Sequence, residues 1–290
     1  MKMISEDRFG LRPLWDACLE IYKEVAKICD KYHLRYYATD GTALGAVRHK
    51  GYIPWDDDFD ISMPRTDYDK FKEIAAKELP PYLRFWDYRD EPKFIYLFGK
   101  VQDTRAEKVK ELEGKVGFVL SNGLFMDIFP IDGYPESKVE TVLTKIITGI
   151  AKCILRFRCM GFYEQTKNGK KVWLAGLIFA LLMPWMNQRR CLDWCEKRLK
   201  KHGFDESAFN GRTCSTTNLF RRAPLKREAW GRPVLHEFHD TQIAVPEDVD
   251  AHLRNEYYKW DYMQLPPGTE RHPSHGYSYH CPWWLGPTGA

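Results

Sequence analysis

The sequence predicts an α/β (α+β) fold, a mixed sheet flanked by helices with a helical stretch inserted, and three observations point to it. An amphipathic helix opens the chain, strand-like and helical segments alternate through about residue 135, and the pattern from Lys138 to about Leu199 is helical. With 290 residues, 44% of them hydrophobic and 14% aromatic, the chain suffices for one large domain or a domain with an insertion.

The first helix runs from Pro13 to Lys31, where Leu14, Ala17, Cys18, Ile21, Val25 and Ile28 recur at helical spacing. The segment LRYYATD reads as a strand, Gly41-Thr42 as a turn, and Ala43 to Val47 as a short helix whose first N–H groups lie near that turn. Phe59 to Met63 is a strand ended by Pro64, and Arg65 to Leu79 a helix capped by Thr66 or Asp67. YLRFWDY, FIYLFGKVQD and NGLFMDIFPIDGY follow as strands, with Asp132-Gly133 supplying a turn. The last ninety residues read as irregular.

Val172 to Met186 is nearly uncharged, is flanked by Lys170-Lys171 and Arg189-Arg190, and contains Pro184. It is shorter than the ~20 residues that span a bilayer. Two readings fit it: a buried core helix, or a helix lying in a membrane interface on Trp173, Trp185 and the basic flanks.

The net charge of +4 against 44 basic and 40 acidic residues gives no argument for nucleic-acid binding. The opening residues have no apolar h-region, so no signal peptide is expected and a reducing cytoplasm is the expected compartment, with contact to the inner face of the membrane under the interfacial reading. The eight cysteines contain no C-x-x-C, and Cys191, Cys195 and His202 fit no standard zinc spacing, so buried free thiols are expected.

Chemistry concentrates between Gly41 and Pro64, where Asp56, Asp57, Asp58 and Asp60 crowd one loop. In an extended chain Asp58 and Asp60 share a face, and two carboxylates there make a hard oxygen site suited to Mg²⁺ (or Mn²⁺). An EF-hand is excluded, since Ile61 stands where glycine is needed and Asp67 where glutamate is needed. Upstream, Gly41 and Thr42 offer N–H groups and a hydroxyl to phosphate oxygens, and Arg48, His49 and Lys50 offer positive charge. Asp127 is a third carboxylate, set in an apolar strand where an uncompensated charge is costly. Lys100 is a further candidate phosphate contact, Trp55 is expected to pack under the loop, and Arg271, His272 and His275 are candidates to close the site.

The run DGTALGAVRHKGYIPWDDDFDISMPRTDYDKF resembles the signature of the LicD/fukutin family of the nucleotidyltransferase-fold superfamily. FGKVQDT, FMDIFPIDG and IAVPEDVDAHLRNEYYKWDYMQLPPGTERHPSH resemble that family in the same order, although Tyr258-Lys259-Trp260-Asp261 stands where it often has Tyr-Gly-Asp. The resemblance implies a nucleotidyltransferase-like catalytic core at 1–137, a helical insertion at 138–235 and a C-terminal segment, 236–290, completing the catalytic domain. It also implies a divalent metal and transfer of a phospho-alcohol, such as phosphocholine, from a CDP-alcohol (CDP-choline foremost) to a hydroxyl of a cell-surface glycan or its lipid-linked precursor. Gly41 and Thr42 would hold donor phosphates, Asp58 and Asp60 the metal, and Asp127 would be general base or a further metal ligand. The alternatives are a D-x-D glycosyltransferase using a nucleotide sugar, set against only 57 residues preceding Asp58, and a non-catalytic adaptor, set against the three acids and the Gly-Thr pair occurring together.

Overall fold

The computed structural model describes residues 7, 9–91, 94–105, 107–108, 124–160, 169–212, 223–266 and 279–280. The chain opens with α1 (Arg12–Tyr32), which has Pro13 in its first turn and buries Leu14, Cys18, Ile21, Val25 and Ile28 as one stripe. His33 ends it in the left-handed region at φ 55°, and the Leu34 N–H closes the turn on the Cys29 carbonyl at 2.8 Å. β1 (Tyr37–Ala38) is shorter than LRYYATD suggests, because Asp40 turns left-handed at φ 50° and starts α2 (Asp40–Arg48). Gly41 and Thr42 therefore belong to the first turn of a helix.

β2 (Asp60–Pro64) is buried at all five residues and leads directly into α3 (Arg65–Glu78). The expected side-chain cap is absent there: Pro64 occupies the N-cap, and Asp67 accepts instead from Arg35 Nε at 2.8 Å. β3 (Leu83–Trp86), β4 (Gly99–Asp103), β5 (Glu107–Lys108) and the ten-residue β6 (Leu124–Gly133) follow.

The second half comprises α4 (Lys138–Leu155), which runs into a π-helical turn at Arg156–Met160, then α5 (Gly169–Leu182) and α6 (Gln188–Leu199). After these come β7 (Phe209–Arg212), β8 (Leu225–Lys226), α7 (Arg227–Trp230), the hairpin of β9 (Val234–Phe238) and β10 (Thr241–Val245), and α8 (Val249–Glu256). These residues are far more regular than their composition suggests. The hairpin turns on His239 at φ 51°, so its two-residue loop carries none of the usual Asn-Gly signal. A last short strand, β11 (Tyr279–His280), pairs with β5.

The fold is thus mixed α/β, a seven-stranded sheet of order β1-β2-β6-β4-β3 with β7 and β8 added through β6 and helices packed on it. β6 organises it, running parallel to β2 (Asp60 opposite Asp127) and antiparallel to β4 over its first half and β7 over its last residues. That last pairing is why Asp132-Gly133 is strand and not turn. Asp132, fully buried, takes a bidentate bond from Arg65 at 2.7 and 2.6 Å, and Arg65 also reaches Glu196 on α6 at 3.4 Å.

The larger core joins α1, β2, β6 and β10, and a second one packs Trp86, Phe94 and Phe98 against Ile154 and Leu155 of α4 and Leu192 of α6. Cys18, Cys29, Cys191 and Cys195 are buried free thiols, and Cys153 is a half-buried one. The buried-helix reading of Val172 to Met186 is corrected: Leu174, Ile178, Leu181 and Leu182 are exposed, as is Trp185 beyond the helix end, while Ala180 and Met186 are buried. No helix among the described residues is long and apolar enough to cross a membrane.

Candidate active site

The site forms where α2, the acidic loop and β2 meet. The chain enters from β1 through Thr39, whose N–H donates to the Asp60 carbonyl at 3.1 Å and whose hydroxyl bonds Ser62 Oγ at 3.0 Å. On the other side, the Asp127 N–H donates to the Phe59 carbonyl at 3.0 Å. The Thr42 hydroxyl, buried, accepts the Asp60 N–H at 2.9 Å, so its oxygen holds the acidic strand in place. At Gly41 a Cβ would collide with Asp56 Oδ2, so only glycine lets that carboxylate lie over the start of the helix.

A cavity of about 680 Å³ opens over these residues. Asp40, Gly41 and Arg48 of α2, Trp55, Asp56, Asp58 and Asp60 of the acidic loop and β2, and Tyr257, Trp260 and Tyr262 all line it. Burial raises the Asp56 and Asp60 carboxyls well above the usual carboxylate range, and the Asp58 charge beside both raises them further. This is a donor set that repels itself and consists of hard oxygens.

Asp127 and Lys100 do not line the cavity but adjoin it through the sheet. Register sets Asp60 beside Asp127 and Asp127 beside Lys100, a row of charged groups across β2, β6 and β4. The Lys100 ammonium pairs closely with Asp127 Oδ1 and sits 3.6 Å from the Phe125 ring centroid, with Phe98 at 5.3 Å. Lys100, a candidate phosphate contact, is 3% exposed, so it is not a solvated lysine, and it pairs with this carboxylate.

The basic run from Arg48 to Lys50 divides three ways. Arg48 Nη1 donates to the Tyr262 and Gln264 carbonyls at 2.6 and 3.0 Å, tying α2 to that segment. His49 is buried with its ring set edge-on to Trp55, and burial, helped by the Arg48 charge, lowers its pKa to about 4, so it brings no charge at neutral pH. Lys50 turns left-handed at φ 58°, its carbonyl accepts from the His239 N–H at 2.8 Å, and it does not line the cavity. Trp55 both packs against the larger core and lines the cavity. Arg271, His272 and His275 lie outside the described residues.

Three contributors escaped the sequence reading. Asp40 lines the cavity and pairs closely with Arg212 on β7; against a burial that would raise it, that guanidinium holds its carboxyl below the usual range. Arg212 also reaches Glu256 at 3.3 Å. No local pattern announces a pair 172 residues apart that forms only through the β6–β7 register. Asp56 is the third, although its i, i+2, i+4 spacing with Asp58 and Asp60 was visible.

Among the described residues no group of three or more His, Cys, Asp or Glu side chains is arranged to hold a metal ion alone. A magnesium ion asks for less, one or two carboxylates with water and phosphate completing the shell. The self-repelling oxygens of Asp58 and Asp60 fit that demand.

Residues 33–148 match the family described as LicD/FKTN/FKRP, nucleotidyltransferase domain. The chain is 27% identical over 275 residues to the lipopolysaccharide cholinephosphotransferase LicD of Haemophilus influenzae, covering 92% of this chain and 97% of that protein. It is 28% identical over 131 residues to the human ribitol 5-phosphate transferase FKRP, covering 43% of this chain and 22% of that protein. The sequence signature and these matches agree, and the segment from 33 to 148 that carries the acidic loop and β6 is the part that matches the LicD/FKTN/FKRP family.

Proposed function

We propose that the protein transfers a phospho-alcohol group, phosphocholine foremost, from a CDP-alcohol to a hydroxyl of a cell-surface glycan or its lipid-linked precursor. One observation carries the reading: Asp56, Asp58 and Asp60 converge on a single cavity with Asp127 in register beside Asp60, negative charge that a divalent cation would neutralise and link to a pyrophosphate. The likeness to a lipopolysaccharide cholinephosphotransferase along nearly its whole length supports it.

In this reading Asp58 and Asp60 hold a divalent cation, which when bound neutralises charge on the donor's pyrophosphate. The N-terminal turn of α2 at Gly41 faces the same phosphates, since it lines the cavity and its N–H groups point along the helix axis. The acceptor oxygen bonds to the phosphorus bearing the alcohol, the bond to the bridging oxygen breaks, CMP leaves, and Asp127 takes the hydroxyl proton. Trp260 and Tyr257, which line the same cavity, are the flat surfaces offered to the cytosine ring.

The test incubates the purified protein, Mg²⁺ and acceptor glycan with CDP-choline, CDP-ribitol, CDP-glycerol and a panel of nucleotide sugars. CMP release that requires acceptor and stops with a chelator is the expected result. Release of a nucleoside diphosphate from a sugar donor alone would establish the glycosyltransferase alternative.

A further inference from the structure

The helical half carries an apolar surface that the proposed chemistry does not use. On α4, Val139, Val142, Leu143 and Ile146 are all exposed, Val139 to 69%, and their spacing places them on one face. On α5, Leu174, Ile178, Leu181 and Leu182 repeat the pattern, Leu181 to 72%, and Trp185 follows the helix end. The helices pack closely, since a Cβ at Gly176 would collide with the Cys153 carbonyl and come within 2.7 Å of Phe157 Cβ. The two stripes therefore belong to one rigid pair, whose buried side rests on the aromatic core through Ile154 and Leu155.

Charge identifies the occupant. Residues 138–190 hold ten of the chain's 44 Lys and Arg but only two of its 40 Asp and Glu, so this stretch carries +8 while the rest of the chain carries −4. A second copy would bring the same net positive segment against itself. An anionic lipid surface complements both the charge and the apolar stripes. Arg190 bonds the Trp185 backbone carbonyl at 2.8 Å, which holds a guanidinium at the same end of α5 as the exposed Trp185. We propose that α4 and α5 form a docking face that seats the protein on an anionic membrane, lying in the interface without crossing it. This stands whether or not the cavity takes the donor proposed above.

The test floats the full-length protein with vesicles of phosphatidylcholine alone or mixed with phosphatidylglycerol. Binding is expected only to the mixed vesicles and should weaken in high salt. Converting Leu174, Ile178, Leu181 and Trp185 to Ser should lower the bound-to-free ratio at least tenfold, ~10-fold being a minimum for four lost apolar anchors, with the melting temperature unchanged. Lys171→Glu with Arg190→Glu, which leaves the apolar residues in place, should lower it independently. Absence of flotation with phosphatidylglycerol, or binding that survives either variant, overturns the proposal. A dimer in sedimentation that the serine variant dissolves would reassign the face to a second copy.

Discussion

The carboxyls of Asp56 and Asp60 are raised by burial and by the Asp58 charge, which fixes the sign of a stability effect. Their protonated forms are favoured more in the folded chain than in the unfolded one, so the metal-free protein loses stability as pH rises above the ordinary carboxylate range of about 3.9. A divalent cation should reverse that loss, and Mg²⁺ should raise the melting temperature more at pH 7 than at pH 5. Asp60→Asn removes the repulsion along with the ligand, so it should melt higher than the wild type without metal while losing transfer; a lower melting point would show that Asp60 is not strained by its neighbours. Asp127→Asn separates two roles: as general base its loss lowers single-turnover transfer by ~10²–10⁴-fold and leaves Mg²⁺-dependent donor binding intact. A parallel fall in metal affinity, read by calorimetry, would make it a ligand. Lys100 sits on that carboxylate, so Lys100→Gln should slow transfer without weakening donor binding.

At the level of elements, a buried tie is Arg65 on Asp132, linking the first residue of α3 to β6 with Glu196 of α6 in reach. Asp132→Asn leaves a buried guanidinium short of its partner and should cost about 3–5 kcal/mol in urea unfolding, an effect of breaking the pair and not a measure of its net worth. The sequence called for a turn at Asp132-Gly133 because that dipeptide is a turn signal, and nothing local reveals that Gly211 pairs across from it. Long periodic elements were readable: α1 from its apolar stripe, β2 and β6 from their apolar runs. Val172 to Met186 misled by composition, since fifteen uncharged residues look alike in a core or on an apolar surface, and only packing on one side distinguishes them.

For the molecule as a whole, the acidic loop was legible because its carboxylates are neighbours in sequence, whereas the Asp40–Arg212 and Asp127–Lys100 pairs depend on which strands lie side by side. Alternation of residue types fixes which face a side chain takes but not which strand comes next to it. β6 shows where this leads. It accepts β2 and β4 from the first half of the chain and β7 from beyond the helices, so its end is completed by residues that lie some eighty positions further along the chain. A fragment ending at residue 137 would hold every residue proposed here for metal and catalysis, yet expose the backbone of Ile131 to Gly133 as an open edge and leave Asp40 charged and buried without Arg212. Such a fragment should aggregate or remain unfolded when expressed alone, and recover on co-expression with residues 138–290. The carboxylates of the acidic loop and of β6 thus lie in the first half of the chain, while the strand edge and the guanidinium that complete their setting come from residues 209–212.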